Sequence, residues 1–596
     1  MPEYSNREIQ KAILKEASND WIYYFLGISA MFLGVLFNLT TPIFIRKIID
    51  EVISGGDASN LLWYILAIIG IAIGAGIANY GNRYFNDKAA EETIFKLRNR
   101  LFEKIQNQSL KFLHEQESGQ LMTRATADLN IIKQYLRRNL RLGLDAIFYF
   151  VAIGTIIYLT QPAFLIVEIA ILPPLILISW IYARKSRPLF RERREYFGDL
   201  SNKIQENITA IETIRSFDQQ QYESAEFDES NKEYLDLYIR AEVVRGLTLP
   251  VATMLVSFGS VAVLYVGGLD IIGFNQFGMT LGMLVQFNLY LLQLVTPTRL
   301  LGNFLVGYTR SNVSGQRVFE ILWSDNNIKE ITYPVDPKTI VGDIKFNDVY
   351  FKYEGSKQIL SDINLHIPAN STLAIFGSTG SGKSTLINLI PRFFDPTAGE
   401  VLIDDINVRE YNLKRLRKQI STVSQDVFLF SRTVKENIAF GRPDATDEEI
   451  IAAAKAAKAD TFIHELEDGY DTVIGERGIT LSGGQQQRLT IARAILMSPR
   501  ILILDDSTSS VDAETEAEIQ EALERLLENR TTLIITQKVS SARYADKIIV
   551  IEEGEIIEEG SHDELMAKGG IYTKIYNTQK DPELLRELQL IEEGEQ

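Results

Sequence analysis

The sequence contains no cysteine in 596 residues, which excludes disulfide bonds and cysteine-based zinc sites. Histidine is also scarce, with four residues in the chain. Positive charge is in deficit, because 78 acidic side chains outnumber 61 Lys and Arg side chains and give a net charge of −17. A nucleic-acid-binding protein normally presents a basic surface, so this balance argues against nucleic acid as a partner. The polar N-terminus does not resemble a cleavable signal peptide.

Long apolar stretches dominate the first half of the chain. Hydrophobic residues make up 46% of the sequence although 23% of it is charged, which indicates separate apolar and charged parts. Six stretches before residue 310 each reach about 20 residues, the length of a helix that crosses about 30 Å of hydrocarbon. The predicted spans cover about 21–45, 61–82, 142–160, 163–183, 246–272 and 279–308. Their number disfavours the alternative of long buried helices in a soluble protein.

The loops between these spans alternate in length and charge. Residues 83–139 and 184–245 are long and rich in Lys and Arg, whereas 161–162 is only Gln-Pro and 268–278 has neither basic residue. The positive-inside rule therefore places both long loops and both termini in the cytoplasm, with Arg46–Lys47 as a small discordant signal. Their helical pattern predicts rigid levers that extend about 40 Å beyond the bilayer toward a cytoplasmic partner.

Among the polar residues within the predicted spans, those of most interest are Asp145, Glu168, Gln286, Asn288 and Gln293. A charge at membrane depth is costly and indicates a transport pathway or a paired group inside the bundle. Asp145 and Glu168 each lie near the start of a span, so an interfacial position is an open alternative. The three amides are equally consistent with hydrogen bonds between helices.

From about residue 341 the chain changes to short apolar runs separated by Gly and Asp turns. The segment "STLAIFGSTGSGKSTLINLI" (371–390) predicts a strand, a glycine loop and a helix. It matches G-x-x-x-x-G-K-[ST], in which backbone N–H groups surround phosphates, the lysine reaches the β/γ-phosphates and the hydroxyl binds Mg²⁺. The phosphate-loop residues are Gly377, Ser378, Thr379, Gly380, Ser381, Gly382, Lys383, Ser384 and Thr385.

Two further motifs follow the phosphate loop. The first, "LSGGQ", is a small-residue turn before a predicted helix whose N-terminus can face phosphate. It consists of Leu481, Ser482, Gly483, Gly484 and Gln485. The second, "ILILDD" (501–506), predicts a buried strand that ends in Asp505, the acid expected to hold Mg²⁺.

In this order of parts, the chain resembles an ATP-binding cassette (ABC) exporter half-transporter over nearly its whole length. The resemblance implies a multidomain fold: an all-α six-helix transmembrane domain with long intracellular helices, then an α/β P-loop nucleotide-binding domain with a helical subdomain. It also implies that Tyr353 stacks on adenine, that Gln425 joins Ser384 and Asp505 around Mg²⁺, and that Asp512 belongs to the D-loop. ATP and Mg²⁺ are the implied cofactors. Segments 112–130 and 206–217 resemble the lever segments that dock on the nucleotide-binding domains.

The expected domain boundaries follow from these segments. Residues 1–20 form an amphipathic N-terminal segment, 21–310 the transmembrane domain, 311–343 a linker, 344–580 the nucleotide-binding domain and 581–596 an acidic tail. The protein is expected to be integral to the cell membrane, with the nucleotide-binding domain in the cytoplasm and lipids and a hydrophobic substrate as membrane partners.

Two positions depart from the family pattern. Asp506 stands where the family has a catalytic Glu, and Gln537 stands where it has the switch His. Asp is one C–C bond shorter than Glu, about 1.5 Å, and a misplacement of about 1 Å can cost on the order of 100-fold in rate. Gln can hydrogen-bond the γ-phosphate but cannot become a cation.

Both changes fall in one nucleotide site, which favours a heterodimeric exporter with a degenerate site in this chain. The expected partner is a second half-transporter that carries the Glu and the His, and the intact LSGGQ of this chain would complete the partner's site. Open alternatives are a fully active homodimer and, in another functional class, an ATP-gated regulator or channel subunit.

Overall fold

The protein is described by a computed structural model over residues 4–580, except 275, 326–327, 329, 354, 425–426, 476–480, 506–526, 528, 537–538 and 543–544. Its residues form two compact units. The first unit comprises Met1–Asn107 and Gln116–Asp325, and the second comprises Gln108–Glu115 and Asn326–Gln596. The apolar stretches therefore lie in the first unit and the phosphate loop in the second.

The first unit is built of helices. In chain order they are α1 (Asn6–Ala17), α2 (Trp21–Lys47), α3 (Leu61–Gln106), α5 (Ser118–Thr123), α6 (Leu129–Gln134), α7 (Leu140–Thr160), α8 (Leu165–Thr209), α9 (Ile211–Ser216), α10 (Gln220–Leu269), α11 (Leu281–Gln293) and α12 (Val295–Trp323), while α4 (Leu110–Glu115) belongs to the second unit. The helices α3, α8 and α10 have 46, 45 and 50 residues. At 1.5 Å per residue each is about 70 Å long, more than twice the hydrocarbon thickness. The long intracellular helices expected from the sequence are confirmed.

Within the described residues, five helices are long and apolar enough to cross a membrane. They cover Asn6–Ser54, Leu61–Gln106, Ser118–Thr160, Pro250–Gly273 and Leu281–Trp323. The predicted span 163–183 falls on α8, where the apolar helix Pro162–Ile178 is shorter than this length. The count of six spans is therefore still a prediction. Large apolar side chains such as Ile77, which is 69% exposed, point outward from these helices. Such a surface suits contact with lipid.

The last helix of the first unit differs from the expected boundary. The transmembrane domain was expected to end at 310, yet α12 continues to Trp323 and takes in the first part of the expected linker 311–343. The reason is contact with α1: a Cβ on Gly315 would lie 2.6 Å from Ile9 Cγ2, and Gln10 Nε2 donates to Asn312 Oδ1 at 2.8 Å. Burial of one face against α1 keeps this segment helical.

The described residues of the second unit form two sheets. Its strands are β1 (Ile344–Lys352), β2 (Gln358–Ile367), β3 (Thr372–Phe376), β4 (Ala398–Ile403), β5 (Ile406–Asn407), β6 (Ile420–Val423), β7 (Ile501–Asp505), β8 (Thr531–Ile535), β9 (Lys547–Glu552) and β10 (Glu555–Gly560). The smaller sheet is antiparallel in the order β2-β1-β4-β5, and the larger has the order β10-β9-β3-β8-β7-β6. In the larger sheet β9, β3, β8, β7 and β6 are parallel. Parallel strands must be joined by crossover connections. The inner strands of such a sheet are buried on both faces and therefore consist of consecutive apolar residues, as in the "ILIL" of β7.

Helices cover these sheets and form a helical subdomain. They are α13 (Lys383–Leu389), α14 (Leu413–Lys418), α15 (Val434–Ile438), α16 (Asp447–Ala456), α17 (Asp460–Glu465), α18 (Gly483–Met497), α19 (Val539–Ala542), α20 (His562–Lys568) and α21 (Ile571–Lys580). One apolar core joins both sheets to α13, and a second joins α15–α18 to β7. The α/β domain with a helical subdomain expected from the sequence is confirmed.

Candidate nucleotide-binding site

The carboxyl ends of three neighbouring parallel strands bring the predicted site residues to one sheet edge. Ile375 of β3 is level with Ile535 of β8, which is level with Asp505 of β7. Adjacent strands lie about 4.8 Å apart, so the backbone of Asp505 is about 10 Å from that of Ile375. The phosphate loop begins two residues after Ile375, at Gly377, and the chain after Ile535 leads to Gln537. Ligands of open α/β sheets bind at this kind of edge.

The phosphate loop depends on glycine at two of its turns. Gly377 has φ +152° and Gly382 has φ +105°. A Cβ on Gly377 would lie 2.2 Å from the carbonyl oxygen of Ile551, and one on Gly382 would lie 2.8 Å from Leu360 Cδ2. Gly380 also has a positive φ, +84°, but faces open space. The loop can therefore hold this backbone path only if positions 377 and 382 have no side chain.

Polar groups inside the loop suit an anionic ligand. The Lys383 side chain, 9% exposed, reaches back across the loop and donates from Nζ to the carbonyl oxygens of Gly377 at 2.8 Å and Ser378 at 2.7 Å. The hydroxyl of Ser381 is buried without a hydrogen-bond partner among the described residues. Ser384 is exposed on the first turn of α13. Phosphate oxygens would offer acceptors to Lys383 and Ser381, so the loop fits a nucleotide phosphate chain.

Tyr353 lies next to the phosphate loop. Its hydroxyl is 3.4 Å from Thr385 Oγ1, and its ring meets the edges of Phe351 and Phe394 with centroids 4.9 and 5.3 Å apart. The ring is half-buried, so one side is available to a base. This position is compatible with the expected role of Tyr353 in stacking on adenine.

A short piece of the first long loop belongs to the second unit, which the sequence did not indicate. Leu110 of α4 packs against the core of the sheets. Ser109 and Lys111 line a cavity of about 180 Å³ together with Tyr353 and Phe394. The expected docking segment was 112–130, but the unit boundary places 108–115 with the sheets and returns to the first unit at Gln116. The polar break "NQS" after α3 is the sequence signal for this segment.

Four predicted site residues, Gln425, Asp506, Asp512 and Gln537, lie outside the described residues. The chain resumes after Gln537 at Val539, the first residue of α19. The backbone N–H of Val539 donates to Gln579 Oε1 of α21 at 2.9 Å. The helix α21 therefore fixes the chain two residues beyond the switch position.

The LSGGQ motif forms the N-terminal turn of α18. Ser482 is the cap residue: its Oγ accepts the N–H of Gln485 at 3.3 Å, and its own N–H donates to Gln485 Oε1 at 2.9 Å. Leu481 and Gly484 are buried, whereas Ser482 and Gly483 are exposed. This capping box leaves the glycine backbone of the turn open to a ligand at the positive end of a helix of 15 residues.

A buried network missed by sequence reasoning joins α18 to the chain that follows Gln425. Asn437, 1% exposed, accepts the N–H of Phe430 and donates to its carbonyl, both at 2.9 Å. Arg493 of α18 donates from Nε to the Asn437 carbonyl at 2.9 Å, and burial lowers the pKa of this guanidinium. Because the partners are 56 residues apart, no local pattern reveals the contact. The network holds the segment after Gln425 to the helix that carries LSGGQ.

Comparison with known proteins agrees with this geometry over both units. Residues 24–298 match the family described as ABC transporter transmembrane region, and residues 360–509 match the family described as ABC transporter. A solved bacterial Atm1-family ABC exporter with ATP bound superposes with a TM-score of 0.79 at 26% identity, and the match covers 94% of this chain and 98% of that one.

Two relatives match along almost their whole length. The ATP-dependent lipid A-core flippase of Syntrophus aciditrophicus is 35% identical over 572 residues, 96% of this chain and 94% of the flippase. YgaD of Bacillus subtilis, named as a candidate multidrug export ATP-binding/permease protein, is 37% identical over 551 residues, 91% of this chain and 94% of YgaD. The fold and site thus define a membrane transporter that couples ATP hydrolysis to transport. The chain belongs to the ABC transporter family, with the architecture of an exporter half-transporter, and it is an integral membrane protein whose nucleotide-binding domain is cytoplasmic.

Proposed function

We propose that the chain is one half of an ATP-driven exporter of amphipathic or hydrophobic compounds, such as drugs, lipids or peptides. The observation that carries this proposal is the union, in one chain, of apolar spans with a formed phosphate loop and a capped, exposed LSGGQ turn. The names of the two relatives, for lipid A-core flipping and multidrug export, support this substrate class. ATP favours a closed pair of nucleotide-binding domains and ADP does not, and this difference drives alternating access.

In the ATP site each described side chain has a defined role. Tyr353 stacks on the adenine, Lys383 exchanges its loop carbonyls for the β/γ-phosphates, and the N–H groups at the start of α13 surround the phosphates. Mg²⁺ fits the donor set, because the exposed Ser384 hydroxyl and the Asp505 carboxylate are the hard oxygen ligands that it prefers, with Gln425 as a third. When bound, the ion neutralises charge on the transferring phosphoryl group.

The finer proposal concerns Asp506 and Gln537, which stand in place of a Glu and a His. Asp and Glu differ by about 0.4 in reference pKa, so reach rather than basicity separates them. The shorter Asp506 carboxylate fails to orient the attacking water, and neutral Gln537 stabilises the phosphoryl charge less than an imidazolium would. The chain's own site then binds ATP and hydrolyses it slowly or not at all.

The proposed partner is a second half-transporter that carries the Glu and the His. In this heterodimer the LSGGQ of our chain faces the phosphate loop of the partner and completes the site that hydrolyses ATP. Exposure of Ser482 and Gly483 supports this role, because these residues are available to a second chain.

Restoring the family residues tests the degenerate site. Asp506→Glu, Gln537→His and the double variant are purified with the partner half-transporter, and ATP hydrolysis is measured with the partner's own site inactivated by its Glu→Gln change. The double variant should raise hydrolysis by up to about 100-fold, because the water regains its base. A Lys383→Ala version of the double variant is the control, since it should abolish the gain.

The oligomeric part of the proposal has its own test. The chain should co-purify with the partner, and transport of a fluorescent amphiphile into inverted vesicles should need both chains and a hydrolysable nucleotide. A fully transport-active homodimer of this chain alone would refute the heterodimer. Transport supported equally by a non-hydrolysable ATP analogue would refute the pump and favour the gated channel.

A further inference from the structure

Glu168 occupies a core position in the apolar first part of α8. Glu168, Ile171 and Leu175 of this helix are buried, as is Phe164 in the turn just before it, and their spacing of four, three and four residues places them on one face. The other three belong to the apolar core of the first unit. Glu168 is 2% exposed, so its carboxyl group lies inside the helix packing rather than at an interface with water.

The carboxyl group has no partner there. Neither Oε1 nor Oε2 has a hydrogen bond among the described residues. Space for the group comes from Gly154 on α7, where a Cβ would lie 3.1 Å from Oε2 and 3.4 Å from Oε1. The buried residues of α7 on either side of Gly154 are Ile153 and Ile157, so the carboxyl group faces hydrocarbon and a glycine backbone.

Charged groups are distant or already satisfied. The sequence has no Asp, Glu, Lys or Arg at 146–160 of α7, 251–269 of α10 or 281–293 of α11. Asp145 lies nine residues before Gly154, about 13 Å along the helix. The titratable side chains in these three ranges are four tyrosines, Tyr149, Tyr158, Tyr265 and Tyr290. Tyr158 and Tyr265 are 57% and 69% exposed, and the Tyr149 hydroxyl accepts a hydrogen bond from Asn38 Nδ2 at 3.4 Å.

The carboxylates and the arginine near the same ends of the spans do have partners. Asp270, 3% exposed, accepts the N–H groups of Phe277 and Met279, each at 2.9 Å. Asp50 accepts the Thr280 hydroxyl at 2.6 Å and the N–H of Gly282 at 2.8 Å, and Arg46 is paired with Asp50. Arg46 is therefore not free to neutralise Glu168, and the carboxyl groups of Asp50 and Asp270 accept hydrogen bonds from donors that Glu168 lacks.

We propose that Glu168 is a proton-binding site of the membrane domain, occupied by a proton in the helix packing described. An ionised carboxylate buried without a donor or a counter-ion is strongly unfavourable, and neutralisation by a proton removes that penalty. The reaction is –COOH ⇌ –COO⁻ + H⁺, with the proton passing to water. A conformation that admits water to this face of α8 releases the proton, so the equilibrium between membrane-domain conformations depends on pH.

The first test measures stability against pH. Wild type and Glu168→Gln, in their assembled dimeric form in lipid nanodiscs, are unfolded by heat and denaturant from about pH 5 to about pH 9, a range in which a buried carboxyl group can titrate. As the pH increases, the unfolding equilibrium constant of wild type should rise relative to that of E168Q. The rise should be up to about tenfold per pH unit for a single proton. Asp270→Asn is the matched control, since it also neutralises a buried span carboxylate but should keep the wild-type slope in this range.

The second test observes the proton directly. The infrared spectrum of wild type at neutral pH should contain a C=O stretching band of a protonated carboxylic acid that E168Q lacks. Parallel pH slopes in wild type and E168Q, or no such band, would overturn the proposal. If E168Q does not assemble, loss of the band from wild type at alkaline pH decides the question alone. Selective loss of cationic dye transport in E168Q, with unchanged pH slopes, would also overturn it, because Glu168 would then recognise substrate charge. All of these stability and infrared readouts are independent of the proposed export function.

Discussion

Two glycines of the phosphate loop should differ sharply in how much ATP affinity is lost when each is changed to alanine. Gly377 and Gly380 both have positive φ, +152° and +84°. A Cβ at 377 would lie 2.2 Å from the carbonyl oxygen of Ile551, a backbone atom of β9, whereas a Cβ at 380 would meet nothing within 4 Å. Gly380→Ala therefore introduces backbone strain alone, and Gly377→Ala introduces strain and a collision.

The geometry sets the size of the two effects. A non-glycine residue at positive φ costs about 1–2 kcal/mol, which is the whole penalty expected for G380A. The collision at position 377 cannot be relieved by a side-chain rotation, because the struck atom is a backbone carbonyl oxygen of β9, which is paired with strands on both sides. We expect a total of about 4 kcal/mol or more, the range reached by few single substitutions. The difference of about 2.5 kcal/mol corresponds to about 60-fold in an equilibrium constant.

The assay is titration of the purified transporter in nanodiscs with a fluorescent ATP analogue, with thermal unfolding as a second readout. G377A should lose about 60-fold more affinity than G380A, because its loop must leave the path that holds Lys383 and Ser381 in place. Equal losses in the two variants, or near wild-type affinity in G377A, would refute the claim that the approach to Ile551 fixes this loop.

Three further predictions concern the second unit. Asn437→Ala should lower the free energy of unfolding by about 3 kcal/mol, measured by denaturant titration, because it leaves the N–H and C=O of Phe430 unpaired; a loss below about 1 kcal/mol would contradict this. Hydrogen bonds from the cap residues hold the pKa values of Glu436, Glu449 and Glu564 below their usual 4.5. The stability that these three carboxylates contribute to the folded protein is complete above pH 4.5 and is lost as the pH falls through the lowered pKa values. The free energy of unfolding of the triple Glu→Gln variant should therefore depend less steeply on pH in the acid range than that of wild type. Burial raises the pKa of Tyr411 to about 12, so the free energy of unfolding should fall as the pH rises above the usual tyrosine pKa near 10. Tyr411→Phe should lessen that fall in alkaline unfolding. The same substitution should cost about 1 kcal/mol of stability near neutral pH.

Local sequence patterns predicted the parts of the site that are contiguous in the chain. A strand, a glycine loop and a helix within twenty residues define the phosphate loop, and the cap residue with its glycines defines the LSGGQ turn. Each works because its geometry depends on neighbours within a few residues. The strand that ends in Asp505 was equally predictable, since four consecutive buried apolar residues precede a carboxylate.

Contacts between distant parts of the chain were not predictable in this way. The Asn437–Arg493 network and the bond from Val539 to Gln579 join residues 40 or more positions apart. The extension of α12 was missed because the side chains that keep it helical belong to α1. Polar residues in the spans show the same limit: sequence alone left Glu168 between an interfacial and a buried position, and only the packing around Gly154 decided it.

The placement of α4 has a consequence for exchanging parts between transporters. Residues 108–115 are numbered within the first half of the chain but belong to the second unit, where Leu110 packs against the core of the sheets. A chimera that joins two transporters at the linker would seat a foreign α4 on the sheets and beside Tyr353. A graft of the nucleotide-binding domain should therefore be cut as two pieces, 108–115 together with 326–580, because the structural module is discontinuous in sequence.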